Sequence, residues 1–237
     1  MIGLLLALAG APSASASPAP AATAVPVLPP SAVVAKYAAA LAKVRDPRVF
    51  TVEYTLVQTG PRTLEQTHRI FRSGGDERDE MLAVNGTRSS TPVVRIFRRR
   101  PYRYTVAALA PKPSAYDFTY AGPHRDGKHV DYVFDLTPKG AVPPSFAFTQ
   151  VTIDGLTFLP QSVAFAESRH GGAGTVTFSK SDQFWVARSA AAQAAIPGGI
   201  AHEDLRFSRW RFPKSLPRST FSVPRPLLTP PPAALAP

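Results

Sequence analysis

Residues 146–178 limit the choice of fold more tightly than any other stretch. Phe146-Ala-Phe-Thr-Gln-Val-Thr-Ile153 leads into Asp154-Gly155, and a second apolar run over 156–166 follows. Asp-Gly between two alternating runs predicts a two-residue hairpin turn, both turn residues taking φ > 0. Gly171, Gly172 and Gly174 mark another turn before Thr175-Val-Thr-Phe178. Three antiparallel strands in succession make a meander, and its apolar face must be covered by something.

The same alternation continues on both sides. Phe50, Val52, Tyr54 and Leu56 alternate with Thr51, Glu53 and Thr55. Further strands are expected at 64–71, 78–84, 93–98, 116–120, 130–136, 184–186 and 204–212, with turns at Gly60-Pro61, Gly74-Gly75, Asn85-Gly86 and Asp126-Gly127. Ten or eleven short strands without intervening helices specify an antiparallel sheet, not βαβ units. One helix of about 14 residues precedes them. Ser31 is its N-cap, Val34, Tyr37, Leu41 and Val44 form its apolar stripe, and Asp46-Pro47 stops it. Two interruptions, residues 99–114 and the Ala-rich 189–199, are each expected to be a short helix or a flap over the sheet. The expected fold is mainly β: an incomplete, half-open antiparallel β-barrel of 10–11 strands, with the N-terminal helix and short helical inserts as its lid. A sheet this wide curls, and incomplete curling leaves an apolar concavity suited to a hydrophobic ligand.

The ends differ in composition from the middle. Residues 1–16 pair a short apolar run with Ala14-Ser15-Ala16, the pattern of a cleaved secretory signal, although no Lys or Arg precedes the run. Residues 17–30 form an Ala/Pro-rich leader and 225–237 a Pro/Leu/Ala-rich tail, both expected to be disordered. That assigns 31–224 to one domain. Export, to the periplasm or beyond, and a soluble monomer are the expectation.

Composition removes several chemistries. The chain has no cysteine, so disulfides, thiol nucleophiles and Cys-based metal sites are excluded. With 27 Lys and Arg against 16 Asp and Glu, the formal charge is +11, which favours anionic partners. Arg95, Arg98, Arg99, Arg100 and Arg103, interleaved with Tyr102 and Tyr104, form a basic cluster that suits lipid head groups. Export argues against nucleic acid. Asp76, Glu77, Asp79 and Glu80 are expected to face solvent beside the Gly74-Gly75 turn. His124 and His129, with Asp126 and Asp131, straddle a hairpin turn and lack the spacing of a helical zinc site. No catalytic signature, phosphate loop or dinucleotide fingerprint occurs. No enzyme activity, metal or cofactor is expected.

Several segments resemble the LolA/LolB-like family of periplasmic lipoprotein carriers. They are Tyr132-Val-Phe-Asp-Leu-Thr-Pro-Lys139, Val151-Thr-Ile-Asp-Gly-Leu-Thr-Phe-Leu-Pro160, Gly174-Thr-Val-Thr-Phe178 and Leu205-Arg-Phe-Ser-Arg-Trp-Arg-Phe-Pro213. Leu216-Pro217 and Phe221-Ser-Val-Pro224 complete the likeness. It implies an incomplete barrel lidded by helices, with a cavity that takes acyl chains of a lipid or lipoprotein. It also implies an arginine after the second strand that holds the lid. Arg72 matches by position, whereas the Arg-Pro pair of that place occurs at Arg100-Pro101. The expected lining is Val52, Tyr54, Leu56, Ile70, Arg72, Leu82, Phe118, Phe148, Val163, Phe165, Val176 and Phe178. Arg95, Arg98, Arg100 and Arg103 are the head-group or lid residues. The expected function is an envelope carrier chaperoning acyl chains. The alternatives are a sensor module acting through an envelope protein partner and, behind it, an envelope hydrolase.

Overall fold

A computed structural model describes residues 27–99, 104–126, 129–140, 146–167 and 171–222. The expected signal and tail, most of the leader, Arg100, Pro101, Tyr102, Arg103 and Gly127 lie outside the described residues.

Helix α1 (Pro30–Leu41) comes first, then strands β1 (Val49–Thr59), β2 (Leu64–Ser73), β3 (Asp76–Val84) and β4 (Thr87–Phe97). A short helix α2 (Val106–Leu109) follows. Strands β5 (Tyr116–Asp126), β6 (His129–Pro138), β7 (Phe146–Asp154) and β8 (Pro160–Glu167) continue the chain. It ends with β9 (Gly172–Ser181), β10 (Phe184–Ile196), β11 (Gly199–Arg211) and a 3-10 turn, Arg218–Phe221. All eleven strands join one antiparallel sheet in the order β4-β3-β2-β1-β11-β10-β9-β8-β7-β6-β5. The sheet is a half-open barrel, not closed. Its two edges, β4 and β5, are consecutive in sequence, so the chain between them must cross the open side. That segment carries α2.

The period-2 alternation divides the sheet into two faces. On the inner face, α1 covers one half. Val33 and Tyr37 are fully buried there, among Val130, Tyr132, Phe134, Leu136, Val151, Ile153 and Val163. Val34, Leu41 and Val44 pack less deeply against the same core. The buried Tyr37 hydroxyl donates to the Pro111 carbonyl at 2.8 Å, tying α1 to the crossing segment. That segment is also sewn to the sheet: Ala187 N–H donates to the Tyr104 carbonyl at 2.8 Å, and Thr105 bridges Val186. On its far side a second core forms from Phe50, Val52, Ile70 and Tyr104.

The structure corrects several sequence expectations. The helix has 12 residues and begins at Pro30, without a side-chain cap from Ser31. Proline suits a first helical position, where its missing N–H is not needed. Residues 189–199 are neither helix nor flap. They complete β10 and turn at Pro197-Gly198 into β11, so these two strands run 13 residues each. Alanine's helix preference is a fraction of a kcal/mol per residue. Here Ala190 is paired on both sides, with Val176 and Leu205, and ladder bonding overrides the preference. β4 also extends back to Thr87, beyond the expected start at 93.

Asp154-Gly155 does not form a two-residue turn either. β8 starts at Pro160, and Phe158 rather than the Asp-Gly pair has positive φ, at 55°. Asp154 Oδ1 accepts from the N–H groups of Leu156 and Thr157 and from the Thr157 hydroxyl, holding a longer loop. Glycine is needed at 155 for close approach: a Cβ there would lie 2.0 Å from the Val130 carbonyl oxygen.

Candidate functional site: an apolar trough with a polar wall

Strand register places one row of side chains straight across the inner face. Leu56 pairs with Leu205, which pairs with Ala190, which pairs with Val176. The row continues through Val163, Val151, Phe134 and Tyr120. Val163, Val151 and Phe134 are buried beneath α1; Tyr120 at one end, and Leu56, Leu205, Ala190 and Val176 at the other, are only partly covered. The covers therefore close one half of the trough and leave an apolar strip open in the other.

Toward the β5 edge the strip becomes aromatic. Tyr116, Phe148, Phe146 and Phe165 touch in sequence, with centroids 5.9, 5.4 and 5.2 Å apart. Phe146 is 43% exposed, so the ladder ends at solvent. Gly174 makes room for it: a Cβ there would meet the Phe165 ring at 2.6 Å and the Ala191 carbonyl at 2.4 Å. Beside the ladder, Phe165, Gln58, Ala192 and Glu203 line a hollow of about 210 Å³. The described residues thus form an open trough with a rim hollow rather than one enclosed chamber.

The expected lining residues separate by depth. Val52, Ile70, Val163 and Phe178 lie in the two cores. Tyr54, Phe118, Phe148 and Val176 are partly buried and pack against those cores. Leu56 and Phe165 are partly buried in the strip itself. Leu82 falls at a register irregularity in β3, between Met81 and Ala83.

Opposite the apolar strip the inner wall is polar, and here the acidic run departs from expectation. β3 passes through it, so Glu77 and Asp79 alternate inward and are buried. They do not face solvent. Arg72, fully buried, donates from Nη1 to Glu77 at 2.8 Å and from Nε to the Gly74 carbonyl at 3.0 Å. The Tyr104 hydroxyl donates to the other Glu77 oxygen at 3.1 Å. His68 Nδ1 lies 2.7 Å from Asp79, and its ring stacks on Tyr54 at 4.7 Å. Glu77, Asp79, His68 and Tyr104 were not singled out as inner-wall residues from sequence. Alternation puts 77 and 79 on one face and 76, 78 and 80 on the other, but each face carries two carboxylates, so it does not say which pair is buried.

The basic cluster splits between the faces. Arg95 pairs with Asp79 in register and so lies on the inner face, exposed at the edge strand. Arg98 shares a face with Asp76 instead, donating to it at 2.6 Å and to the Phe221 carbonyl at 2.8 Å. Among the described residues no three His, Asp or Glu side chains gather to hold a metal ion. No described helix is long and apolar enough to cross a membrane.

No protein-family model matches the sequence, and no curated protein matches it. Solved structures do match. The chain is similar in fold to LolA superfamily structures. A LolA superfamily protein from Nitrosomonas europaea shares 13% identity, with 83% of this chain and 99% of that one aligned at a TM-score of 0.46. A DUF1329 family protein from Desulfovibrio piger gives 12%, 81%, 96% and 0.48. A putative outer membrane lipoprotein-sorting protein domain from Vibrio parahaemolyticus gives 14%, 79%, 95% and 0.46.

Proposed function

We propose that the chain is a soluble, exported carrier that holds acyl chains of a lipid or lipoprotein in the open half of the trough. The observation behind this is the strip of Leu56, Leu205, Ala190 and Val176, continuous with the core yet partly uncovered. Each methylene buried there contributes about 0.8 kcal/mol, so a long chain needs no specific chemistry to be retained. Its role is binding rather than catalysis.

The covers suit such a role. α1 and the α2 segment face each other across a hollow of about 380 Å³ lined largely by alanines, among them Ala38, Ala42, Ala107 and Ala110. Small side chains bury little area, so across this hollow the two elements gain little beyond the Tyr37–Pro111 hydrogen bond and the core they share. Arg72 anchors the crossing segment through Glu77 and Tyr104, and Arg95 at the open edge contacts the ligand's head group.

Protein purified from its native host is expected to carry lipid detectable by mass spectrometry and to bind a fluorescent fatty-acyl probe. Leu56→Asp with Val176→Asp is expected to abolish probe binding while the far-UV circular dichroism is retained. Clean apo-protein that ignores acyl probes would refute the carrier function.

A further inference from the structure

A second concavity lies at one end of the strands, away from the open strip. It has a volume of about 870 Å³ and is bounded by α1, the loop into β1, the β7–β8 turn and the β9–β10 turn. Lys36, Lys43, Arg45, Arg48 and Lys180 line it. Five of its fifteen lining residues are cationic, against 27 of 237 in the whole chain, so the charge is concentrated here rather than spread evenly.

Lys43, Arg45, Arg48 and Lys180 have no ion-pair partner among the described residues. The one carboxylate in the lining, Asp46, accepts a hydrogen bond from the Thr105 hydroxyl. Like charges gathered round a concavity repel one another and raise its potential, which favours an anion that satisfies several of them at once. The pocket also has an apolar side, formed by Phe158, Phe184 and Trp185. Lys36 Nζ sits 4.7 Å from the Phe158 ring centroid, so cation and aromatic surface already adjoin. The volume is that of a small-molecule site.

We propose that this pocket binds the phosphate-bearing head of an anionic amphiphile, with the phosphate among the Lys and Arg side chains and the adjoining apolar portion against Phe158 and Trp185. The site is distinct from the acyl trough: Arg48 precedes β1 and Phe184 starts β10, whereas Leu56 and Ala190 lie further along those strands, and no residue of the open strip lines the pocket.

The test uses fluorescence of the full chain carrying Trp210→Phe. The chain has two tryptophans, so Trp185 then reports alone. Dihexanoyl phosphatidic acid, kept below its micelle concentration, is expected to shift Trp185 emission saturably. Lys43→Gln/Arg45→Gln/Arg48→Gln should weaken that binding roughly ten-fold or more. Arg62→Gln/Arg88→Gln/Arg218→Gln removes as much charge elsewhere and should leave binding nearly unchanged. Equal losses in the two triple variants would mean general charge attraction and overturn the proposal. Inorganic phosphate competing as well as the amphiphile would reduce the site to a simple anion site and overturn it too. So would a response confined to anionic phosphatidylglycerol vesicles, which would make this a membrane-facing surface. Leu56→Asp/Val176→Asp should leave the response intact; its loss there would assign the signal to the trough.

Discussion

Replacing Glu77 with alanine tests how the crossing segment is held. The Arg72 and Glu77 side chains are 1% and 0% exposed and 2.8 Å apart. Removing the carboxylate leaves a guanidinium charge in a site screened from water. Breaking a buried pair from one side costs about 3–5 kcal/mol. Arg72 keeps its bond to the Gly74 carbonyl, which places the expected loss near the lower bound, about 3 kcal/mol. For a domain of this size that corresponds to a fall in Tm of roughly 6–12 °C. Urea denaturation followed by circular dichroism, together with calorimetry, measures it. The Tyr104 hydroxyl loses its acceptor in the same variant, so proteolysis within 104–113 should accelerate as well. Arg72→Met combined with Glu77→Leu removes both charges and should recover most of the stability. A single-variant loss below about 1 kcal/mol, or a double variant as unstable as the single, would refute the reasoning.

Two further outcomes follow from buried positions. Burial, and then the like charge of Asp154, holds the Asp131 carboxyl above its ordinary value, and its Oδ1 has no hydrogen-bond partner. A raised folded value means that Asp131 favours folding below its unfolded pKa of about 3.9 and loses that contribution as pH rises through the folded value. Asp131→Asn should therefore raise Tm at neutral pH, and the gain should vanish near pH 3; an equal gain at both pH values would contradict this. Gly155→Ala pushes a methyl group against the Val130 carbonyl, whereas at Gly171 the space is open and only φ is unfavourable. Thermal melts should rank Gly155→Ala as the more damaging of the two, and the opposite order would sink the close-approach explanation.

The alternation in 50–56, 130–136 and 146–153 was enough to specify an antiparallel, mainly β chain, because period-2 patterning leaves no other way to bury one face. The turn at Asn85-Gly86 was equally legible: both residues take positive φ, at 49° and 75°. Less local features were not. Nothing within 189–199 announces a strand, since its alanines are held there by partners on neighbouring strands, such as Val176 and Leu205 on either side of Ala190. The Asp154-Gly155 turn misled because its glycine answers to Val130 on a neighbouring strand and not to its own backbone angles.

The candidate site divides in the same way. Sequence identified apolar positions such as Leu56, Val163 and Val176, because alternation is written into the chain. It could not say which would be sealed beneath α1 and which left open, since that depends on where one helix and one crossing segment come to rest. Nor could it bring Arg48, Thr157 and Lys180 to the rim of one basic pocket. Local backbone preference and side-chain periodicity act over a few residues and can be read along the chain. Depth, pairing of buried charges and the meeting of distant turns are set only when eleven strands have taken their order.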